Sequence, residues 1–196
     1  MEENDEKKIL VTYAVDGELV DLQWEDVEFL YLKTGIGKVK SAHYITSIIE
    51  NFKPDVVLNV GTAGSIKHNI GDIFCCTQFI DRDLKKVANT LKLGCTMDTT
   101  LSLMEHQVAK KWPKGAVCNT GDGFITEADD IEGDVIDMEA YAQAFVCEQM
   151  DLPFISVKCV TDIVGKNSVA DWASKLDFAQ RKLNDYLNNT LKHIFD

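Results

Sequence analysis

Three carboxylates stand at the ends of apolar runs rather than in solvated charge clusters: Glu18 after Ile9–Ala14, Glu139 at the start of a helical pattern, and Asp162 after Phe154–Val160. Acids so placed can give or take a proton at a bound molecule, because the mouth of a buried strand holds them rigidly and partly out of water. Each also has a plainer reading. An acid in the first turn of a helix meets the positive end of its dipole, and an Asp after a strand is often a cap or turn residue. Asp16-Gly17-Glu18 likewise reads as a turn.

Two small-residue segments accompany these acids. Gly61-Thr62-Ala63-Gly64-Ser65 reads as a loop at the carboxyl end of a buried strand, where open α/β sheets place ligands and where small side chains let backbone N–H groups come close. Gly35-Ile36-Gly37-Lys38-Val39-Lys40 carries Lys where a dinucleotide fingerprint needs its third Gly, so it reads as a tight strand-to-helix turn. The histidines His43, His68, His106 and His193 lack ligand spacing, and no protein-held metal is expected. Six scattered cysteines without a C-x-x-C pair read as reduced core residues.

The elements that must position these residues form a β-loop-α-β opening. Ile9–Ala14 and Val27–Leu32 are apolar runs of strand length. From Lys38 to Asn51, Val39, Ala42, Ile45, Ile48 and Ile49 recur at helical spacing, and Pro54 stops the helix before the strand Asp55–Val60. Further strands are expected at Asp72–Phe79, Gly115–Thr120 and Phe154–Val160. Helices are expected at Met138–Met150, with Met138, Ala142, Phe145, Val146 and Met150 on one face, and from about Val169 to Phe195. The stretch from Asp81 to Lys114 has little periodicity. This order implies an α/β fold with covering helices, in one domain over residues 1–196.

Composition narrows the function. With 45% hydrophobic and 27% charged residues the chain is neither disordered nor a small disulfide scaffold. A net charge of −12 without a basic stripe argues against nucleic-acid and membrane-surface partners. The acidic Met1–Glu6 start is unlike a secretory signal and no apolar stretch has spanning length, so a soluble, cytoplasmic protein is expected.

Four blocks in order, Val56–Gly64, Thr120–Ile125, Val135–Ala140 and Val157–Asp162, resemble the nucleoside phosphorylase/nucleosidase superfamily. Within it the chain is most similar to the 5′-methylthioadenosine/S-adenosylhomocysteine nucleosidases. Ile9–Leu19 and Gly35–Val39 extend the resemblance, from about residue 8 to residue 163. It implies a three-layer α/β/α fold around a central twisted mixed sheet, no bound cofactor, a homodimer, and cleavage of a purine N-ribosidic bond. By position, Asp162 would bond the purine and help protonate N7, supported by Thr161, and Glu139 would bind the ribose hydroxyls with Met138 packed on the sugar. Phe124 would stack on the base and the Ile125 backbone would contact it. Thr62, Ala63 and Gly64 would line the sugar side, and Glu18 would activate water.

That division suits the reaction. Breaking an N-glycosidic bond leaves an electron-poor sugar and an electron-rich base, which calls for an acid at the leaving group and negative charge near the sugar. Water must lose a proton as it attacks, which calls for a further carboxylate on the opposite side. Phosphate as nucleophile would need a fixed cation, usually Arg, and the chain has only Arg82 and Arg181. Neither lies in a matched phosphate-binding block, and Arg82 in Asp81-Arg82-Asp83 reads as a structural ion pair. Water is the expected nucleophile; a phosphorylase and a non-catalytic nucleoside-binding protein of the same fold are the alternatives. The chain departs from the family between Asp83 and Thr100, where members carry a longer covering loop, and again over Ile163–Ser168. Those departures leave the 5′-substituent open.

Overall fold

The computed structural model describes residues 6–91, 100–102, 115–125, 131–166 and 169–192. Strands β1 (Lys7–Tyr13) and β2 (Val27–Lys33) lie parallel, followed by helix α1 (Lys38–Phe52), β3 (Val56–Ser65) and β4 (Ile73–Asp81). Then come α2 (Arg82–Leu91), β5 (Thr100–Ser102), β6 (Ala116–Thr120), β7 (Val135–Asp137), α3 (Ala140–Gln149) and β8 (Phe154–Ile163). Helices α4 (Val169–Ser174) and α5 (Leu176–Tyr186) follow, and α5 widens into a π-helical turn over Leu187–Leu191.

Among the described residues eight strands form one mixed sheet in the order β2-β1-β3-β7-β6-β4-β5, with β8 paired to both β3 and β4. Because β3 pairs with β7, β7 with β6, β6 with β4, β4 with β8 and β8 with β3, five strands close on themselves. Alternation along the strands sorts their side chains into two cores. Ile9, Val11, Leu58 and Val157 pack with Ala179, Leu183, Leu187 and Leu191 of the C-terminal helix. Leu10, Val57, Phe79 and Phe154 pack with Ile45 and Ile49 of α1 and with Tyr141, Ala144 and Cys147 of α3. Each fully buried aliphatic side chain contributes about 1.5–3 kcal/mol, so the helices are held by what they cover. The result is the expected three-layer α/β/α arrangement.

Several elements differ from the sequence reading. Gly61–Ser65 is not a loop: β3 runs unbroken to Ser65, and all ten of its residues are buried. Small side chains there fit a strand crowded by neighbours on both faces. Asp162 likewise lies within β8 and not after it. Helix α3 starts at Ala140, after Met138; of the expected stripe Ala142 is buried and Val146 and Met150 pack against the core, whereas Phe145 is exposed and Ala140, Tyr141, Gln143, Ala144 and Cys147 are buried as well. The expected terminal helix is broken at Lys175, between α4 and α5. Within the illegible stretch, α2 and β5 are formed, and residues 92–99 and 103–114 lie outside the described residues, as do Cys95 and His106. Cys75, Cys76, Cys118, Cys147 and Cys159 are buried free thiols, as expected. Among the described residues, no helix is long and apolar enough to cross a membrane.

Candidate active site

The carboxyl ends of β3 and β8, the turn after β1, and the segments 121–125 and 135–139 enclose a cavity of about 160 Å³. Glu18, Thr62, Ala63, Gly64, Phe124, Ile125, Met138, Glu139 and Asp162 all line it, so nine of the ten residues singled out in the sequence face one space. Thr161 is the tenth and stands outside the lining. Between the pairs Ala63–Val160 and Gly64–Asp162 the ladder slips by one residue, leaving Thr161 as a bulge. Its hydroxyl donates to Asp162 Oδ1 at 3.0 Å from behind.

Glu18 ends a single 3-10 turn, Asp16–Glu18, after β1. Its Oε1 accepts the Thr62 backbone N–H at 2.7 Å and the Thr62 hydroxyl at 2.6 Å. The N–H groups of Ala14 and Val15 point to Oε2 at 3.2 and 3.3 Å. A Cβ at Gly61 would come within 3.1 Å of the same carboxylate. The Trp172 indole N–H of α4 donates to the Thr62 hydroxyl at 2.8 Å, which completes a chain from α4 through Thr62 to Glu18.

Glu139 precedes α3 and accepts the Gly37 N–H at 3.0 Å. Gly37, at φ 102°, takes a conformation glycine adopts readily, and its turn leads directly into α1. With no cap side chain of its own, α1 presents its first N–H groups to distant acids: Gly37 to Glu139, and Lys38 to Asp122 Oδ1 at 2.8 Å. Burial, and after it the charge of Asp137, pushes the Glu139 carboxyl up to about 8, against the pull of Lys158 and the Gly37 N–H. Its surroundings thus favour the protonated form.

Asp162 is raised above the ordinary carboxyl range by burial, with the Thr161 hydroxyl and the Lys175 charge opposing. A Cβ at Gly64 would lie 2.8 Å from Asp162 Oδ2, so the absence of a side chain at Gly64 makes the room for this acid.

Asp137 of the cavity lining belongs to a buried pair that the sequence reading did not single out. Lys158 Nζ is 2.9 Å from Asp137 Oδ2, both side chains being 2% exposed or less. Asp137 also accepts the Thr120 hydroxyl at 2.6 Å and the Ala140 N–H at 2.9 Å. Burial opposes charge on both members, but their attraction outweighs it, holding Asp137 below its ordinary range and Lys158 above its own. A lysine within the apolar run Phe154–Val160 was the available signal, since a charge on a fully buried strand must be paired. Ile36 and Trp172 also line the cavity, and nothing in their spacing pointed there.

Arg82 does not make the expected ion pair with its flanking acids. Those carboxylates face Lys38, whose Nζ lies 3.0 Å from Asp81 Oδ1 and 2.8 Å from Asp83 Oδ2. Arg82 instead donates to Asn119 Oδ1 at 2.9 Å and to the Gly123 carbonyl at 3.1 Å. Among the described residues lining the cavity there is no Lys or Arg.

Comparison with known proteins agrees with this geometry. The family model described as phosphorylase superfamily matches residues 12–192. A 5′-methylthioadenosine/S-adenosylhomocysteine nucleosidase of Bacillus velezensis is 31% identical over 87% of this chain and 84% of its own length. That of Bacillus licheniformis is also 31% identical, with the same coverage. Among solved structures, futalosine hydrolase of Helicobacter pylori superimposes with a TM-score of 0.77 at 21% identity, covering 97% of this chain and 98% of its own. The 5′-methylthioadenosine/S-adenosylhomocysteine nucleosidase of the same organism gives 0.76 at 21% identity, with the same coverage. These last two are likenesses of fold.

Proposed function

Since the chain belongs to the phosphorylase superfamily, we propose that it is a purine nucleosidase that hydrolyses the N-ribosidic bond of 5′-methylthioadenosine or S-adenosylhomocysteine. One observation carries the choice of water over phosphate: the cavity presents four carboxyl groups, Glu18, Asp137, Glu139 and Asp162, and, among its described lining residues, no cation. Lys158 lies close by, but its charge is committed to Asp137. An incoming phosphate would meet Glu18 with nothing to neutralise it.

In this reading Asp162 donates toward N7 of the purine while the C1′–N9 bond breaks and its electron pair leaves with the base. Burial favours the protonated acid that this step needs. Phe124 and Ile125 hold the base, and Met138 packs on the sugar. Glu139 bonds the ribose hydroxyls, and its ionised form is favoured as positive charge develops at the sugar. Glu18, oriented by Thr62, takes a proton from water as its oxygen adds to C1′. The products are free base and a ribose derivative. The domain spans residues 1–196, and two copies act as a homodimer in the cytoplasm without a bound cofactor.

The test is release of free base from methylthioadenosine, S-adenosylhomocysteine, adenosine, inosine and futalosine, each with and without phosphate. Base plus free sugar without phosphate is the expected result, fastest from the first two. Strict phosphate dependence with formation of a sugar 1-phosphate overturns hydrolysis, and tight binding without release overturns catalysis.

A further inference from the structure

We propose that Arg82 is a positioning residue for base recognition, acting through the segment 121–123 that carries Phe124 and Ile125 over the cavity. The guanidinium reaches both flanks of that segment. One nitrogen donates to the Asn119 side chain at 2.9 Å and to the Asn119 carbonyl at 3.3 Å, and the other donates to the Gly123 carbonyl at 3.1 Å. A planar group with two donating edges holds two separated acceptors at a fixed spacing, which an ammonium does less well.

Gly121, between those acceptors, lies flat against the guanidinium. A Cβ there would sit 2.6 Å from an Arg82 nitrogen, so a side chain at this position would force the guanidinium to move. Asp83, the next residue of α2, accepts the Asp122 N–H at 3.0 Å and binds Lys38 Nζ. Asp122 in turn accepts the Lys38 N–H at the start of α1. The segment before Phe124 is thus tied at successive residues to the starts of two helices. The Gly37 N–H beside it serves Glu139, so the base and sugar ends of the cavity share one support. Arg82 does not line the cavity and touches no reacting atom in this reading.

The proposal rests on the nucleosidase reading for the identity of the ligand, so the test has an arm that needs none. On the full chain, amide hydrogen exchange over residues 121–125 is followed without ligand. KM and kcat for the best nucleoside and equilibrium binding of adenine are measured in parallel. Arg82→Met should speed exchange in that segment roughly tenfold, with β3 and β8 still protected, because charge-assisted bonds to three acceptors on Asn119 and Gly123 are lost. It should raise KM and the adenine Kd by about tenfold, with kcat changed less than about threefold. Arg82→Lys should fall between it and the wild type. Gly121→Ala should reproduce Arg82→Met, yet in an Arg82→Ala background it should add less than about twofold, since the group it collides with is gone. Full additivity, unchanged exchange, or faster exchange with unchanged KM and Kd overturns the positioning role. A wild-type chain that releases no base from any nucleoside overturns the functional reading instead, and the exchange arm then decides the clamp by itself.

Discussion

The two ends of the cavity solve the burial of a carboxyl group in different ways. At the base end Asp162 is buried with the Thr161 hydroxyl behind it and Gly64 leaving it space, and its proton is favoured. At the sugar end Glu18, Glu139 and Asp137 crowd together, and one lysine is committed to a single member of the group. Lys158 holds Asp137 below its ordinary range against burial, while burial and then the Asp137 charge push Glu139, two residues along, up to about 8. Two carboxyl groups two residues apart are thus pushed in opposite directions, one by its paired cation and the other by burial and its neighbour's charge.

The comparison breaks most severely at the base end. Asp162→Asn keeps the shape and removes the acid, and base release should fall by about 10²–10⁴-fold with the fold intact. A variant within tenfold of wild type would remove Asp162 from its role. At the sugar end the larger effect is on stability. Lys158→Met leaves Asp137 charged and unpaired in the core, with an expected loss of about 3–5 kcal/mol in urea unfolding. Adding Asp137→Asn should recover part of that loss, and a double variant no better than the single one would mean that the pair is not coupled.

A smaller effect sharpens the contrast through pH. Between the ordinary carboxyl value of 4.5 and about 8, the folded chain holds a proton on Glu139 that the unfolded chain has released. Glu139 therefore makes stability fall as pH rises through that window, and the fall ends above about 8. Glu139→Gln should flatten that part of the stability profile, leaving the variant at least as stable as wild type near pH 9 by denaturant midpoint. An unchanged slope would place the proton elsewhere.

Much of this was legible in the sequence because the residues in question break local patterns. Glu18, Glu139 and Asp162 stood out against apolar runs, and all three line one cavity. The strands were legible from their continuous apolar runs, whereas β7 is only three residues long and carries too short a pattern to read. The strand ends were misplaced where small residues resemble a loop. Gly61–Ser65 reads as punctuation locally, yet its neighbours β8 and β7 make it strand, a tertiary effect that a single sequence does not display. Trp172 and Arg82 were missed as parts of the site or its support for a similar reason. Their partners lie 110 and 37 residues away, and nothing in their own surroundings marks them.

Gly61 and Gly64 extend the lesson to positions with no side chain at all. Each leaves empty the volume into which a carboxylate is set, Glu18 against the first and Asp162 against the second. A conventional alanine scan asks what is lost when atoms are deleted, but at these two positions alanine is an insertion. The same methyl group that serves elsewhere as the neutral reference would here displace an acid, so the scan would flag as functional two residues that contribute no functional group.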